Sequence, residues 1–137
     1  TGIQLETGET ATEFEHRSYG EELALCQRYY WALAGGTVPI GQIGYGGYTL
    51  SNYLNINGGN FPVTMRGNPS FVITNGTNYW AIYRRDANDK FDTLAASTIS
   101  PSTFSFVGTG NVSGTQADPG TVSADSASAK IHFSAEL

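Results

Sequence analysis

The sequence has few charged residues and a single cysteine, and both features narrow the possible functions. Only 14% of its 137 residues are charged. The 7 Lys and Arg residues form no cluster, whereas nucleic-acid binding requires grouped basic side chains that neutralise phosphates. Cys26 has no second cysteine with which to form an intrachain disulfide, which indicates synthesis in a reducing cell. Its apolar neighbours predict that Cys26 is buried.

Long apolar runs and metal-binding patterns are also absent from the sequence. No segment reaches the roughly 18 apolar residues of a membrane-spanning helix, and no secretory signal is visible. His16 and His132 are the only histidines, and neither shows the spacing of a zinc site or a catalytic triad. We therefore expect no membrane insertion and no cofactor. The first residue is Thr1 rather than Met, so we expect a fragment of a longer protein.

Glycine and aromatic residues are abundant instead. The sequence holds 17 glycines and 12% aromatic residues. Short apolar segments alternate with turn residues at intervals of about eight to twelve residues, which gives about eight strands. Helices do not alternate with strands, so a parallel sheet is not expected. The sequence predicts an all-β fold, an antiparallel jelly-roll-like β-sandwich with one short N-terminal helix.

The predicted helix begins after Ser18. Ser18 and Glu21 form an S-x-x-E capping box, and an aromatic run closed by two glycines follows the helical segment. We expect about two to three helical turns that lead directly into a strand. Residues 1–17 are polar and acidic, and we interpret them as an arm or linker from an upstream domain. Residues 18–137 form the predicted C-terminal β-sandwich domain.

Several turns are predicted from local signals. Gly46-Gly47 and Gly58-Gly59 are expected to form turns between strand pieces. Asn75-Gly76 is the strongest hairpin signal, and it would join the segment SFVIT to the strand that contains Trp80. Two further strands are expected on either side of Pro101.

Carboxylates do not suggest catalysis. Sugar hydrolysis generally uses two acids about 5–10 Å apart. The acids after the arm lie mostly in turn or capping contexts, so we expect structural or solvated roles and no enzymatic activity, with a depolymerase as the least favoured alternative. The segment Asp86–Asp92 resembles a calcium loop only superficially, because Lys90 occupies the fifth position.

Tyrosines provide the clearest functional signal. Tyr45, Tyr48 and Tyr53 lie in the neutral, Gly/Asn-rich segment GYGGYTLSNYLNINGGN. Aromatic rings stack on the C–H faces of sugars, while amides and hydroxyls bond the sugar hydroxyls. These three tyrosines are therefore candidate glycan-binding residues. Packing inside the sandwich is the alternative role for each.

Three segments resemble a known family. The segment IQLETG-x-x-ATEFEHRSYGEELALCQRYYW, the segment FPVTMRGNPSF (residues 61–71) and the final AKIHFSAEL resemble the C-terminal domain of bacteriophage tail fibres and related virion receptor-binding proteins. The resemblance implies a homotrimer at the distal end of a fibre. It also implies synthesis in the host bacterial cytoplasm, location in the virion next to other virion proteins, and attachment to bacterial surface polysaccharide or lipopolysaccharide. A purely structural domain for trimerisation or for decoration of the capsid or fibre is the alternative.

An oligomer is also reasonable on physical grounds. A short helix cannot bury its own large apolar groups, whereas three copies around an axis would cover them. Arg66 interrupts an apolar strand, and it is expected either to pair with a carboxylate of the arm or of another subunit, or to be exposed. The predicted trimer interface comprises Leu23, Leu25, Tyr29, Trp31 and Arg66.

Overall fold

The computed structural model describes residues 7, 10, 12–14, 16–35, 41–85 and 87–136. Within these residues the chain forms one helix and ten strands. The elements are α1 Tyr19–Gln27, β1 Tyr30–Ala34, β2 Gln42–Leu50, β3 Tyr53–Asn60, β4 Ser70–Thr74, β5 Trp80–Tyr83, β6 Asn88–Phe91, β7 Thr93–Ile99, β8 Thr103–Thr109, β9 Pro119–Ala124 and β10 Lys130–Ser134. The helix is too short and too polar to cross a membrane, and the described residues contain no other.

The strands form two antiparallel sheets. The smaller sheet has the order β1-β10-β4, and the larger has the order β6-β5-β9-β2-β3-β8-β7. All the pairings are antiparallel. The prediction of an all-β protein with one short helix is therefore confirmed, as are the two strands predicted on either side of Pro101, which are β7 and β8 and pair with each other.

An aromatic cluster joins the two sheets. Phe133 on β10 lies 5.2 Å from Phe104 on β8, measured between ring centroids, and 4.9 Å from Phe61 in the segment after β3. Trp31 on β1 stacks on Phe133 at 5.8 Å. Phe133 is fully buried, so the smaller sheet is attached to the larger one through rings that exclude water.

The helix begins as predicted but packs differently. Ser18 Oγ accepts a hydrogen bond from the Glu21 N–H, and the Glu21 carboxylate accepts one from the Ser18 N–H. These bonds, together with the nearby Arg17 charge, hold the pKa of Glu21 below its usual value. No residue of α1 is buried, and the prediction that Cys26 is buried is wrong because this side chain is exposed. The described residues of the predicted arm are exposed as well.

The two glycine pairs lie inside strands, so the prediction of turns there is wrong. The β2–β3 turn is formed by Ser51 and Asn52 instead. A Cβ atom on Gly46 would lie 2.8 Å from the Asn55 carbonyl oxygen, and a Cβ on Gly58 would lie 2.3 Å from the Phe104 ring. Glycine at these positions allows neighbouring strands of the sheet to approach each other closely, and it does not change the direction of the chain.

Asn75-Gly76 does not form a hairpin. The strands on either side, β4 and β5, belong to different sheets, so the segment is a crossover connection. Asn75 Oδ1 accepts hydrogen bonds from Trp80 Nε1 at 2.9 Å and from the Leu94 N–H at 2.8 Å, and Asn75 Nδ2 donates to the Leu94 carbonyl at 3.0 Å. The Asn75 side-chain amide therefore connects the crossover to buried polar groups of Trp80 on β5 and Leu94 on β7.

We predict that Asn75→Ala lowers the free energy of unfolding by roughly 2–4 kcal/mol, because each buried polar group left without a partner costs about 1–3 kcal/mol. Trp80 Nε1 and the Leu94 N–H both lose their acceptor. Equilibrium unfolding in urea measures the change. Asn68→Ala, in an exposed turn, is the matched control. Equal stabilities for the two variants would contradict this role of Asn75.

Candidate ligand-binding face

Antiparallel register places one polar row across the outer face of the larger sheet. Tyr83 on β5 pairs with Thr121 on β9, and Thr121 pairs with Tyr45 on β2. Tyr45 pairs in turn with Asn57 on β3, which pairs with Ser105 on β8. Directly paired residues point to the same side of a sheet. Five strands therefore contribute an aromatic or hydroxyl- or amide-bearing side chain to one continuous line.

Tyr45 is the most prominent member of this row, with 64% of its surface exposed. Gly47, two residues further along β2, lies on the same side of the sheet and, having no side chain, lines the depression beside Tyr45. The resulting cavity of about 330 Å³ is also lined by Thr49, Asn55 and Asn57. None of its lining residues in the described part of the chain is charged, so the cavity combines an exposed ring with uncharged hydrogen-bonding groups.

The three predicted ligand tyrosines have different environments. Tyr45 is exposed, and Tyr53 is half-buried on the same side of β3 as Asn55 and Asn57. Tyr48 is only 2% exposed, and its hydroxyl donates a 2.7 Å hydrogen bond to Asp89. Burial, and then this bond, raises the pKa of Tyr48 far above its ordinary value. The predicted ligand role of Tyr48 is therefore corrected to a core role, because its ring presents no open face for stacking.

A second cavity lies on the other side of Tyr45. Its volume is about 290 Å³, and Tyr83, Arg84 and Thr121 contribute to its lining. The Arg84 guanidinium lies over the Tyr48 ring, 5.2 Å from its centroid, and donates to Asp118 Oδ2 at 3.2 Å. Arg84 Nε is buried and has no hydrogen-bond partner among the residues that the structure describes. The arginine is thus fixed between a core ring and a carboxylate at the end of β5.

Sequence reasoning missed the contribution of Tyr83, Arg84 and Thr121 to this face. The alternation of Tyr79, Ala81 and Tyr83 was a usable signal for the side of the strand on which Tyr83 lies. No local signal indicates that β5 and β9 lie beside β2, because that arrangement depends on the order of strands in the sheet.

Tyr83 also belongs to a charged network. The Tyr83 hydroxyl donates to Asp125 Oδ1 at 2.8 Å, and Lys90 Nζ lies 2.6 Å from Asp125 Oδ2. The hydrogen bond from Lys90, followed by that from Tyr83, holds the pKa of Asp125 below its usual value. The same contacts raise the pKa values of Lys90 and Tyr83. The network fixes the Tyr83 ring at the edge of the ligand-binding face.

Each aspartate in the described part of the larger sheet and its loops supports the fold. Asp89 also accepts from the Ser113 N–H, and Asp92 accepts from the Asn78 N–H, both at 2.8 Å. Asp118 forms an ion pair with Arg84, and Asp125 forms one with Lys90. Asp86 lies outside the described residues. Over the described ranges, no three His, Cys, Asp or Glu side chains form a group that could hold a metal ion.

The predicted trimer-interface residues fall into two groups. Leu23, Leu25 and Tyr29 are each about 40% exposed, at 41%, 38% and 42%. Trp31 is half-buried and packs in the aromatic cluster between the sheets. The Arg66 guanidinium lies 5.5 Å from the centroid of the Tyr29 ring, so the structure brings these two predicted residues together. We use the name apolar patch for the exposed large side chains of α1 and of the residues after it, Tyr19, Leu23, Leu25, Tyr29 and Tyr30. Leu25 lies on a different side of α1 from Tyr19 and Leu23.

The sequence matches no protein-family model, no curated protein and no solved structure. The likeness to phage fibre proteins therefore remains an expectation. The physical support for a function comes from the ligand-binding face and the apolar patch.

We predict that Asp125→Asn lowers the melting temperature near neutral pH and that the deficit shrinks as the pH falls toward about 2. A carboxylate with a lowered pKa in the folded state contributes stability above its unfolded pKa, and this contribution is lost as the pH falls through the folded pKa. Thermal unfolding at several pH values measures the effect, and Glu136→Gln serves as an exposed control. A deficit that is independent of pH would contradict the assignment.

Proposed function

We propose that this chain is a non-enzymatic domain of a bacteriophage tail fibre or related receptor-binding virion protein, made in the bacterial host and acting in the virion. It attaches the virion to bacterial surface polysaccharide or lipopolysaccharide. The observation that carries the proposal is the exposed ring of Tyr45 beside an uncharged cavity lined by Asn55 and Asn57. Family likeness supplies the biological setting, and this face supplies the chemistry.

The face has the two features that a sugar requires. A pyranose presents an apolar C–H face, which stacks on an aromatic ring, and a rim of hydroxyls, which donate and accept hydrogen bonds. Tyr45 offers the ring, and the side chains of Asn55 and Asn57 offer both donors and acceptors from the adjacent strand. Because the described residues that line this cavity carry no charge, they suit an uncharged sugar unit.

Carboxylate placement favours binding without turnover. Asp89 and Asp92 accept hydrogen bonds from main-chain N–H groups, and Asp118 and Asp125 accept from arginine and lysine. A general acid in glycoside hydrolysis has a raised pKa, whereas the pKa of Asp125 is lowered. These contacts suit structural carboxylates better than a catalytic pair.

We further propose that the fold is a jelly-roll-like sandwich that acts as a homotrimer. The apolar patch supports oligomer formation, because its leucines and tyrosines remain exposed in a single chain. Three identical ligand-binding faces on one fibre tip would raise the avidity of a weak site without any additional contact.

Tyr45→Ala is expected to reduce binding to host cells and to an array of capsule and O-chain polysaccharides. We expect a loss of about tenfold in affinity per site, or about 1.4 kcal/mol, which is the size of one lost stacking contact. Phe71→Ala removes a 46% exposed aromatic ring from β4 in the smaller sheet, outside both the candidate face and the apolar patch, and is the control. Unchanged binding of Tyr45→Ala, with wild-type binding detectable, would exclude this face as the receptor site.

A purely structural domain that trimerises or decorates the fibre or capsid is the second candidate. The apolar patch favours it, because this surface suits contact with protein and not with sugar. A wild-type fragment that forms oligomers but binds neither cells nor polysaccharides, and does not block infection, would favour this candidate over the first.

Both candidates predict a trimer, with a native mass three times the 14.6 kDa of one chain. We expect Leu23→Ser to shift the wild-type trimer toward monomer at low concentration, because the exposed leucine would lose its burial against a neighbour. Arg66→Ala is expected to lower trimer stability through its contact with Tyr29. Sedimentation equilibrium measures both effects.

Leu50→Ser provides the matched control, since Leu50 is 57% exposed at the end of β2, away from the apolar patch. A wild-type chain that stays monomeric at high concentration would contradict the proposed trimer. If the wild-type chain is a trimer, equal effects of Leu23→Ser and Leu50→Ser on the dissociation constant of that trimer would contradict the role of the apolar patch.

A further inference from the structure

Tyr45 lies between two cavities, and it contributes to both. The cavity with Asn55 and Asn57 lies on the β3 side, and the cavity with Tyr83 and Thr121 lies on the β9 and β5 side. Gly46 also lines both. The tyrosine ring therefore stands in the middle of a longer depression and not at its end.

The depression continues past the C-terminal end of β5, toward the segment that joins β5 to β6. A third cavity, of about 410 Å³, shares Arg84, Arg85 and Pro119 with the second and adds Ala87 and Asp118. Adjacent strands are about 4.8 Å apart, so the path from β3 across β2 and β9 to β5 covers about 14 Å. This length exceeds a single sugar ring.

The two ends of the path offer different hydrogen-bonding groups. The amide end has side chains that both donate and accept. At the other end, Arg84 donates and Asp118 accepts, and their ion pair places opposite charges 3.2 Å apart. Asp118 is 47% exposed, so its carboxylate remains accessible to a ligand. Such a pair suits neighbouring sugar hydroxyls, because one hydroxyl can accept while the next donates.

We infer that this face binds an internal stretch of a linear polysaccharide, with several consecutive sugars crossing the strands and one of them stacked on Tyr45. A single terminal sugar would leave the Arg84–Asp118 end empty. The inference rests on the proposed glycan-binding function and specifies the class of ligand and its direction across the sheet. Ala87 marks the far end of the path, since its exposed side chain lines only the third of these cavities.

The test uses calorimetry with a size-fractionated series of oligosaccharides, prepared from the O-chain or capsule polysaccharide that the wild-type protein retains on the array. Fragments in solution are monovalent for each site, so trimer avidity does not contribute. We expect affinity to rise by about tenfold or more from a single sugar to a short oligosaccharide and then to level off. A purely statistical gain from additional repeats would continue to grow with fragment length.

Ala87→Leu narrows the far cavity and is expected to abolish most of this gain while leaving the affinity for the shortest fragments unchanged. Ala127→Leu, an exposed alanine in the β9–β10 turn, is the matched control and should retain the gain. Equal affinity for all lengths, or a full gain in Ala87→Leu, would overturn the inference and leave glycan binding intact. If the wild-type protein retains no polysaccharide on the array, the proposed function itself fails.

Discussion

The pleat of β2 is the constraint on which both the core and the candidate ligand-binding face depend. Side chains alternate along a strand, so Tyr48 points inward, where its hydroxyl reaches Asp89, and Tyr45 points outward. Because β2 pairs with β3 on one side and β9 on the other, its register also determines which residues flank Tyr45. A slip of one residue would exchange the two tyrosines and disrupt both surfaces together.

Much of the fold could be predicted from local patterns. The Ser18 capping box and the two strands on either side of Pro101 depend on residues close together in sequence, and both predictions are confirmed. Local reasoning was wrong at the glycine pairs, because a glycine that permits a turn and one that permits close packing look alike in sequence. It was wrong at Asn75-Gly76 for a related reason, since the asparagine side chain there bonds to Trp80 and Leu94 instead of closing a hairpin.

The candidate site was predictable only in part. Tyr45 stands out because it lies in a neutral segment rich in glycine and asparagine, but the segment alone does not separate it from Tyr48. That distinction requires the register of β2. Tyr83 reaches the same face from a strand nearly forty residues away, and only the order of strands in the larger sheet brings it there. The predicted interface residues divide in the same way, since Trp31 is half-buried and packs against the core whereas Tyr29 is exposed.

The position of β10 has a consequence for biosynthesis. This strand follows every other described strand, yet it lies between β1 and β4 in the smaller sheet. The edge strands β1 and β4 have no partner in this sheet until β10 has left the ribosome. Until then, Trp31 and Phe61 cannot pack against Phe133. The smaller sheet therefore closes after synthesis of the strands is complete, and nascent chains expose aromatic surface to chaperones until that moment.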